Sequence, residues 1–458
     1  MIPGPSRIVL VLLFSLAITG LLGCAGAPET TTPVEAPADF SRSGAQSVPD
    51  RWWTTFENES LNALVDSATA SNFSLRTAWE RVQAARAVVD RESGALFPDL
   101  QAQGQVQATR SESDIEDGEE FSAGLSSAYE LDLWGRIRSR VQAEQLRAQA
   151  TAADYQAAAL SLSAEVVQTW VQLAEARSQR RLVQQQIETN TTVLNLLENR
   201  FETGQIRSVD VLRQRQLLES TREQRAVVES RAEVLEHRLA VLLGRSPQEG
   251  VEAVPDSLPS LPPLPETGVP TDLVRRRPDV RSAFRRVQAA DRDLAAAISD
   301  QYPRLTLSAS ASTAAESAQD LFQTWAYSFA GNLLAPIFRG GELRAEVDRT
   351  TAVKQQRLYE YGQTILTAFR EVEDALIQEQ KQREQIRRIE QQIQLAQQSY
   401  EQLRVQYLNG TGDYLDVLTA LDEVQQLRRD RLSARLTLVQ DRIALYRALA
   451  GGFDTERE

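Results

Sequence analysis

The chain has 458 residues, 63 acidic against 50 basic, and a formal charge of -13. That balance argues against a nucleic-acid partner. One cysteine, Cys24, and one histidine, His237, rule out an internal disulfide framework and argue against a Cys/His zinc site. No phosphate-binding glycine loop, nucleophile elbow or metalloprotease motif occurs, so the residues point to no catalytic centre, no metal and no cofactor. In chain order, Arg7 precedes an apolar run from Ile8 that ends in small residues, which reads as a signal segment over 1–23.

That segment closes on "LLGC", which resembles a bacterial lipobox with Cys24 as the lipidated first residue of the mature chain. The alternative is an ordinary signal cleaved near Ala25, with Cys24 lost. Residues 24–50 then read as a Pro/Thr-rich tether. From there the chain is written twice. "RVQAARAVVDRESGALFPDL" (81–100) aligns with "RVQAADRDLAAAISDQYPRL" (286–305), and "FETGQIRSVDVL" (201–212) with "YLNGTGDYLDVL" (407–418). The spacing predicts a first repeat over 51–244, a proline-rich connector over 245–270, a second repeat over 271–452 and a tail over 453–458.

Each repeat opens with a helix, about 72–96 and 279–300, and continues into two alternating stretches: 98–110 with 121–133, and 304–312 with 325–335. In "PDLQAQGQVQATR", Leu100, Ala102, Gly104, Val106 and Ala108 alternate with four glutamines and other polar residues. Each stretch is near the roughly 9–11 residues that cross a bilayer as a tilted strand. Backbone groups in hydrocarbon must all be paired, and known barrels need about eight strands or more, so four strands cannot close alone. The sequence therefore predicts an oligomeric barrel of about eight, twelve or sixteen strands, with Gln and Ser facing a wet lumen. A soluble periplasmic sandwich is the alternative for the strands taken by themselves.

No glycine or proline interrupts 136–202, roughly 100 Å if helical. The second copy predicts helices over 342–408 and 413–450, the first over 136–202 and 209–243. Ile386, Ile389, Ile393, Ala396, Tyr400, Leu403 and Tyr407 step by three and four. Val183, Ile187, Leu194, Leu197 and Phe201 do the same in the first copy, with Asn190 filling one step. A period near 3.5 means left-handed coiled coils, and the glycine-bearing turns make them antiparallel hairpins; a solitary coiled-coil stalk fits the periodicity equally well. His237, within a helical pattern, reads as a helix-surface residue.

The residues also resemble a known family over essentially the whole mature chain. "RWWTTFENESLNALVDSATASN" (51–72), "YELDLWGRIR" (129–138), "VRRRPDVRSA" (274–283), "LAPIFRGGELRAEV" (334–347) and "LYRALAGG" (445–452) are similar to TolC-like outer-membrane efflux lipoproteins of the OprM/NodT type. The resemblance implies a mainly α fold with a membrane β-barrel. A homotrimer would form twelve strands and a periplasmic α-barrel, fixed in the outer membrane by lipid at Cys24. It implies the passive exit duct of a tripartite pump, with a periplasmic adaptor and an inner-membrane RND-type transporter as partners. A type I protein-secretion duct and, less closely, a periplasmic adaptor lipoprotein are the alternatives.

By the same resemblance the gate lies at the periplasmic tip. Leu415 stands at the family's leucine position, with Asp416 and Asp422 nearby, and Asp210 and Arg213 on the first hairpin. Thr419 stands where an aspartate is usual. Asp416 is expected to pair with Arg213 or Arg404; helix N-capping is the other reading of Asp413 and Asp416. Thr203, Gly204 and Gln205 match the adaptor-contact tip of the first hairpin, and Asn409, Gly410 and Thr411 that of the second; simple chain-reversing turns are the alternative.

Overall fold

The computed structural model describes residues 33–109, 118–251 and 255–455. The signal segment, Cys24 and most of the loop 111–120 lie outside the described residues. The chain divides into a short unit, Met1–Glu35, and the main unit, Ala36–Glu458, which carries the fold.

Two helices open the main unit, α1 (Glu59–Ser71) and α2 (Phe73–Ser93), capped by the side chains of Asn58 and Asn72. Strands β1 (Asp99–Thr109) and β2 (Gly118–Leu131) follow, then the 67-residue α3 (Arg136–Glu202) and its return helix α4 (Ser208–Leu242). After the connector come α5 (Pro270–Arg276), α6 (Pro278–Ser299), β3 (Arg304–Ala315) and β4 (Ala326–Leu334). The 67-residue α7 (Glu342–Leu408) and α8 (Tyr414–Leu449) close the second repeat. The four strands form one antiparallel sheet in the order β1-β2-β3-β4, so β2 and β3 join the two repeats edge to edge.

Register decides what that sheet can do, because directly paired residues share a face. Ala102 pairs with Leu125, Leu125 with Ala311, and Ala311 with Tyr327. Toward opposite ends of the same face, Leu305 pairs with Leu131 and Leu333, and Val106 with Phe121. The polar positions align as consistently: Gln101, Ser126, Ser310 and Ser328 form one row across all four strands. The sheet is therefore mainly apolar on one side, with Ser127 and Thr313 as polar exceptions, and mainly polar on the other. Asp132 and Leu133, which continue the alternation in sequence, lie beyond β2. The carboxylate of Asp132 instead accepts the backbone N–H groups of Ile137 (3.0 Å) and Arg138 (2.9 Å), capping α3 from outside.

At both strand-to-helix joints the chain turns through left-handed glycines, Gly135 (φ 77°) and Gly341 (φ 90°), a conformation that costs a side-chain-bearing residue energy. Asp300 ties the joint across the repeats, 3.0 Å from Arg140 and 2.5 Å from Arg304. Helix α6 packs against both α3 and α7.

The main core lies further down the helices. Trp52 stacks on Tyr446 with centroids 5.7 Å apart and donates its indole N–H to Ser163 Oγ (3.2 Å); Trp53 meets Phe453 edge-on. Here the N-terminal segment, the connector and the C-terminal residues converge on the long helices. Burial beside the carboxylate of Glu379 pushes the Asp441 carboxyl up to about 6. A folded-state value above the unfolded one penalises the ionised form, so stability rises as pH falls from about 6 toward 4. Asp441→Asn is expected to raise stability at pH 7.5 by about 1–2 kcal/mol, after allowing for partial solvent screening, and to flatten the melting profile between about pH 7 and 4. Thermal melts of the two proteins across that range check both.

Candidate functional site

The tip is where the two hairpins reverse. The turn after α3 spends its backbone donors internally: Gly204 N donates to Phe201 O (2.8 Å) and Gln205 N to Arg200 O (2.8 Å). The turn after α7 repeats the pattern, Gly410 N to Tyr407 O (3.0 Å) and Thr411 N to Gln406 O (2.9 Å). Both glycines are left-handed, φ 70° and 77°, as a helix-ending motif of this kind requires. Thr203, Gly204, Gln205, Asn409, Gly410 and Thr411 are all exposed, so the tips offer side chains to solvent while satisfying their own backbone.

Val183, Ile187, Leu194 and Leu197 of α3 pack with Val211 and Leu218 of α4 and with Tyr414 and Val417 of α8, one cluster holding the hairpins together. Phe201, the next step of the series, is 46% exposed at the end of the helix. Asn190, the polar step, is fully buried and works as a junction. It donates to Thr221 Oγ1 (2.9 Å), and its side-chain oxygen accepts from Gln425 Nε2 (2.8 Å). Its backbone carbonyl accepts from Gln214 Nε2 (2.9 Å), whose own oxygen accepts the Tyr414 hydroxyl (2.6 Å). Burial pushes the Tyr414 hydroxyl well above the ordinary phenol range, which keeps it a donor. A polar group at a coiled-coil core position fixes register, because any slip strands buried donors and acceptors.

Asp413 caps α8, accepting from Leu415 N (2.9 Å), and receives Arg207 Nη2 of the other hairpin (3.3 Å). The backbone N–H of Leu415, then the charge of Arg207, hold its carboxyl below the usual range. Arg207 also lies 3.6 Å from Asp210, which is buried in the first turn of α4. The N-capping reading thus fits Asp413.

Leu415, Asp416, Thr419 and Asp422 lie together on one exposed stripe of α8, with Tyr414, Val417, Leu421 and Val424 buried on the other side. Leu415 is 43% exposed. Arg213 is half-buried and Arg404 exposed; among the described residues no salt bridge joins either of them to Asp416 within one chain. The hairpins are instead clasped by Arg207 and Asp413. Arg207, Tyr414, Gln214 and Gln425 carry this arrangement without standing out in the sequence; only Asn190 left a visible signal, as a gap in an apolar series.

A sheet with one mainly apolar and one mainly polar face, continued by helical hairpins of this length, is the pattern of an outer-membrane channel. The comparisons agree. A family model described as "Outer membrane efflux protein" matches residues 64–245 and 269–451, and the chain belongs to that family. It is 31% identical to the pyoverdine export outer membrane protein OpmQ of Pseudomonas aeruginosa, over 96% of each chain. It is 29% identical to the cation efflux system protein CusC of Escherichia coli, over 97% of this chain and 98% of that one. Among solved structures the outer-membrane channel OprN superposes with a TM-score of 0.86 at 30% identity, covering 94% of this chain and 99% of that one. The chain is an outer-membrane efflux channel of the tripartite-pump type, and its relatives are channel proteins.

Proposed function

We propose that three copies of this chain form the exit duct of a tripartite efflux pump, held to the outer membrane by a lipidated Cys24. An RND-type inner-membrane transporter supplies the energy, and a periplasmic adaptor engages the hairpin tips at Thr203–Gln205 and Asn409–Thr411. The observation that carries the assembly is the two-faced sheet whose outer strands, β1 and β4, each have one edge without a partner strand among the described residues. Such a sheet is stable in lipid only when other copies complete it. Twelve strands leave a water-filled lumen lined by the glutamine and serine rows.

In this reading the duct performs no chemistry. Its regulated step is the tip, where Leu415, Asp416, Thr419 and Asp422 face the axis and a ring of Asp416 carboxylates attracts cations. Asp210 and Arg213 belong to the hairpin that must move when the tip opens. Thr419, hydrogen-bonded to the carbonyl of Leu415 (2.9 Å), contributes no charge to the constriction. The transporter and adaptor select the cargo, a small molecule.

Asp416→Ala is expected to raise single-channel conductance in planar bilayers and to weaken cation preference. Unchanged conductance and selectivity would move the gate off this stripe. A monomeric mass for the detergent-purified protein would refute the trimer.

A further inference from the structure

The twofold repeat reproduces a charge pattern as well as a fold. Arg177 and Arg181 of α3 stand at the same offset as Arg383 and Arg387 of α7, roughly 60–70 Å down each 67-residue helix at about 1.5 Å per residue. Each pair lines an open cleft. In the first, Arg180 and Arg225 join Arg177 and Arg181, opposite Glu229 and Asp256. In the second, Arg42 joins Arg383 and Arg387, with no carboxylate among the described lining residues. Both clefts are therefore net positive in a chain of charge -13.

Part of that charge is compensated. Arg177 lies 2.9 Å from Glu236, Arg225 3.7 Å from Glu229 and Arg383 3.1 Å from Glu379. The rest is not. Arg181 donates to a neutral group, the backbone carbonyl of Asp256, which also accepts Ser178 Oγ (3.0 Å). Arg42, Arg180 and Arg387 are exposed and form no salt bridge among the described residues. Each repeat thus offers two arginines without a counter-charge. Both clefts are edged by segments that cross the long helices. Asp256 belongs to the connector, and Arg42 to the segment 40–48, which runs along it. Gln46 and Pro265 form a parallel bridge, Gly44 N donates to Pro265 O (2.9 Å), and Thr267 Oγ1 to the carbonyl of Arg42 (3.2 Å). In a duct whose bore stays open, such crossing segments run on the outside.

We infer that the two clefts bind carboxylate groups of the periplasmic cell-wall polymer, once per repeat at one level around the trimer. The inference rests on the trimeric duct proposed above. A guanidinium fork meets a carboxylate in two parallel bonds, and the peptide branches of the wall carry free carboxylates. Lipid phosphates lie too far up, at the level of the sheet. A protein partner needs an aromatic or apolar anchor in a pocket; the first cleft has none among its described lining residues, and the second has only Ile386 and Leu438. One exposed ion pair is weak, but a crosslinked polymer engages several at once.

The test sediments the full-length, detergent-purified protein with protease-treated cell-wall sacculi. The parent is expected to co-sediment at low salt and to be released as salt rises. Combining Arg42→Gln, Arg180→Gln, Arg181→Gln and Arg387→Gln is expected to lower the bound fraction about tenfold, with the heat-stable oligomer on gels unchanged. Sacculi whose carboxylates have been amidated with ethanolamine are expected to lose the parent too, a result that does not depend on the variant folding. A parent that ignores the sacculi, or holds to amidated ones equally well, overturns the inference. Binding seen only on sacculi spared the protease assigns the clefts to an attached protein and overturns it as well. An oligomer that fails to bind sinks this inference alone, whereas a monomeric mass sinks the trimeric duct.

Discussion

Replacing Phe329 with arginine is expected to cost about 2–4 kcal/mol of folded-state stability in lipid, whereas Ser328→Arg next to it costs little. Phe329 is 86% exposed in the single chain, near the middle of β4, and pairs with Ala309 on the apolar face of the sheet. Ser328 is one residue away and faces the opposite side, its hydroxyl 2.8 Å from that of Ser310. The two variants differ by one step in a period of two, so composition and distance from the joint are controlled. Guanidinium refolding into lipid vesicles, read by the heat-stable oligomer on gels, measures the difference. Equal penalties would mean that the sheet does not present this face to hydrocarbon.

Arg442→Met is expected to cost about 3–5 kcal/mol, because it leaves a buried carboxylate without its main partner. Arg442 is fully buried and grips Glu379 with two bonds, Nε at 2.8 Å and Nη2 at 2.7 Å. Its remaining nitrogen, Nη1, donates to the carbonyls of Pro262 and Pro263. Without it, Glu379 keeps Arg383 (3.1 Å), its one other cationic partner among the described residues, whose side chain is about half exposed. The connector, a proline-rich segment that can form no ladder of its own, loses its clamp. Adding Glu379→Leu should recover part of the loss by removing the stranded charge, but not the part due to the proline carbonyls. Chemical denaturation and limited proteolysis of 245–270 read the two components separately. An unchanged midpoint together with an unchanged cleavage rate would remove Arg442 from the clamp.

Much of this architecture is legible in the residues. An unbroken run from Arg136 to Glu202 fixes a long helix locally, since nothing in it opposes helical φ/ψ. The two-residue beat around Leu100 and Val106 fixes strand and face together. The tip residues Leu415, Asp416 and Thr419 were named through the family resemblance, and the structure places them on one exposed side of α8. Which arginine meets which aspartate was not legible. The expected partners of Asp416 were Arg213 and Arg404, while within the chain Arg207 goes to Asp413. Side-chain reach depends on how two hairpins are rotated against each other, and no local pattern encodes that rotation.

By itself the sequence determined the twofold repeat, the helices and strands, and which side of each strand is greasy, because these follow from backbone preference and hydrophobic period. Only the tertiary structure decided that β2 joins β3, that Asn190 and Gln425 interlock in the coiled-coil core, that the segment 40–48 is strapped to the connector, and that Arg442 is buried at its clamp. Those are contacts between residues far apart in the chain. Their free energy depends on burial and partner geometry, which exist only once the helices have packed.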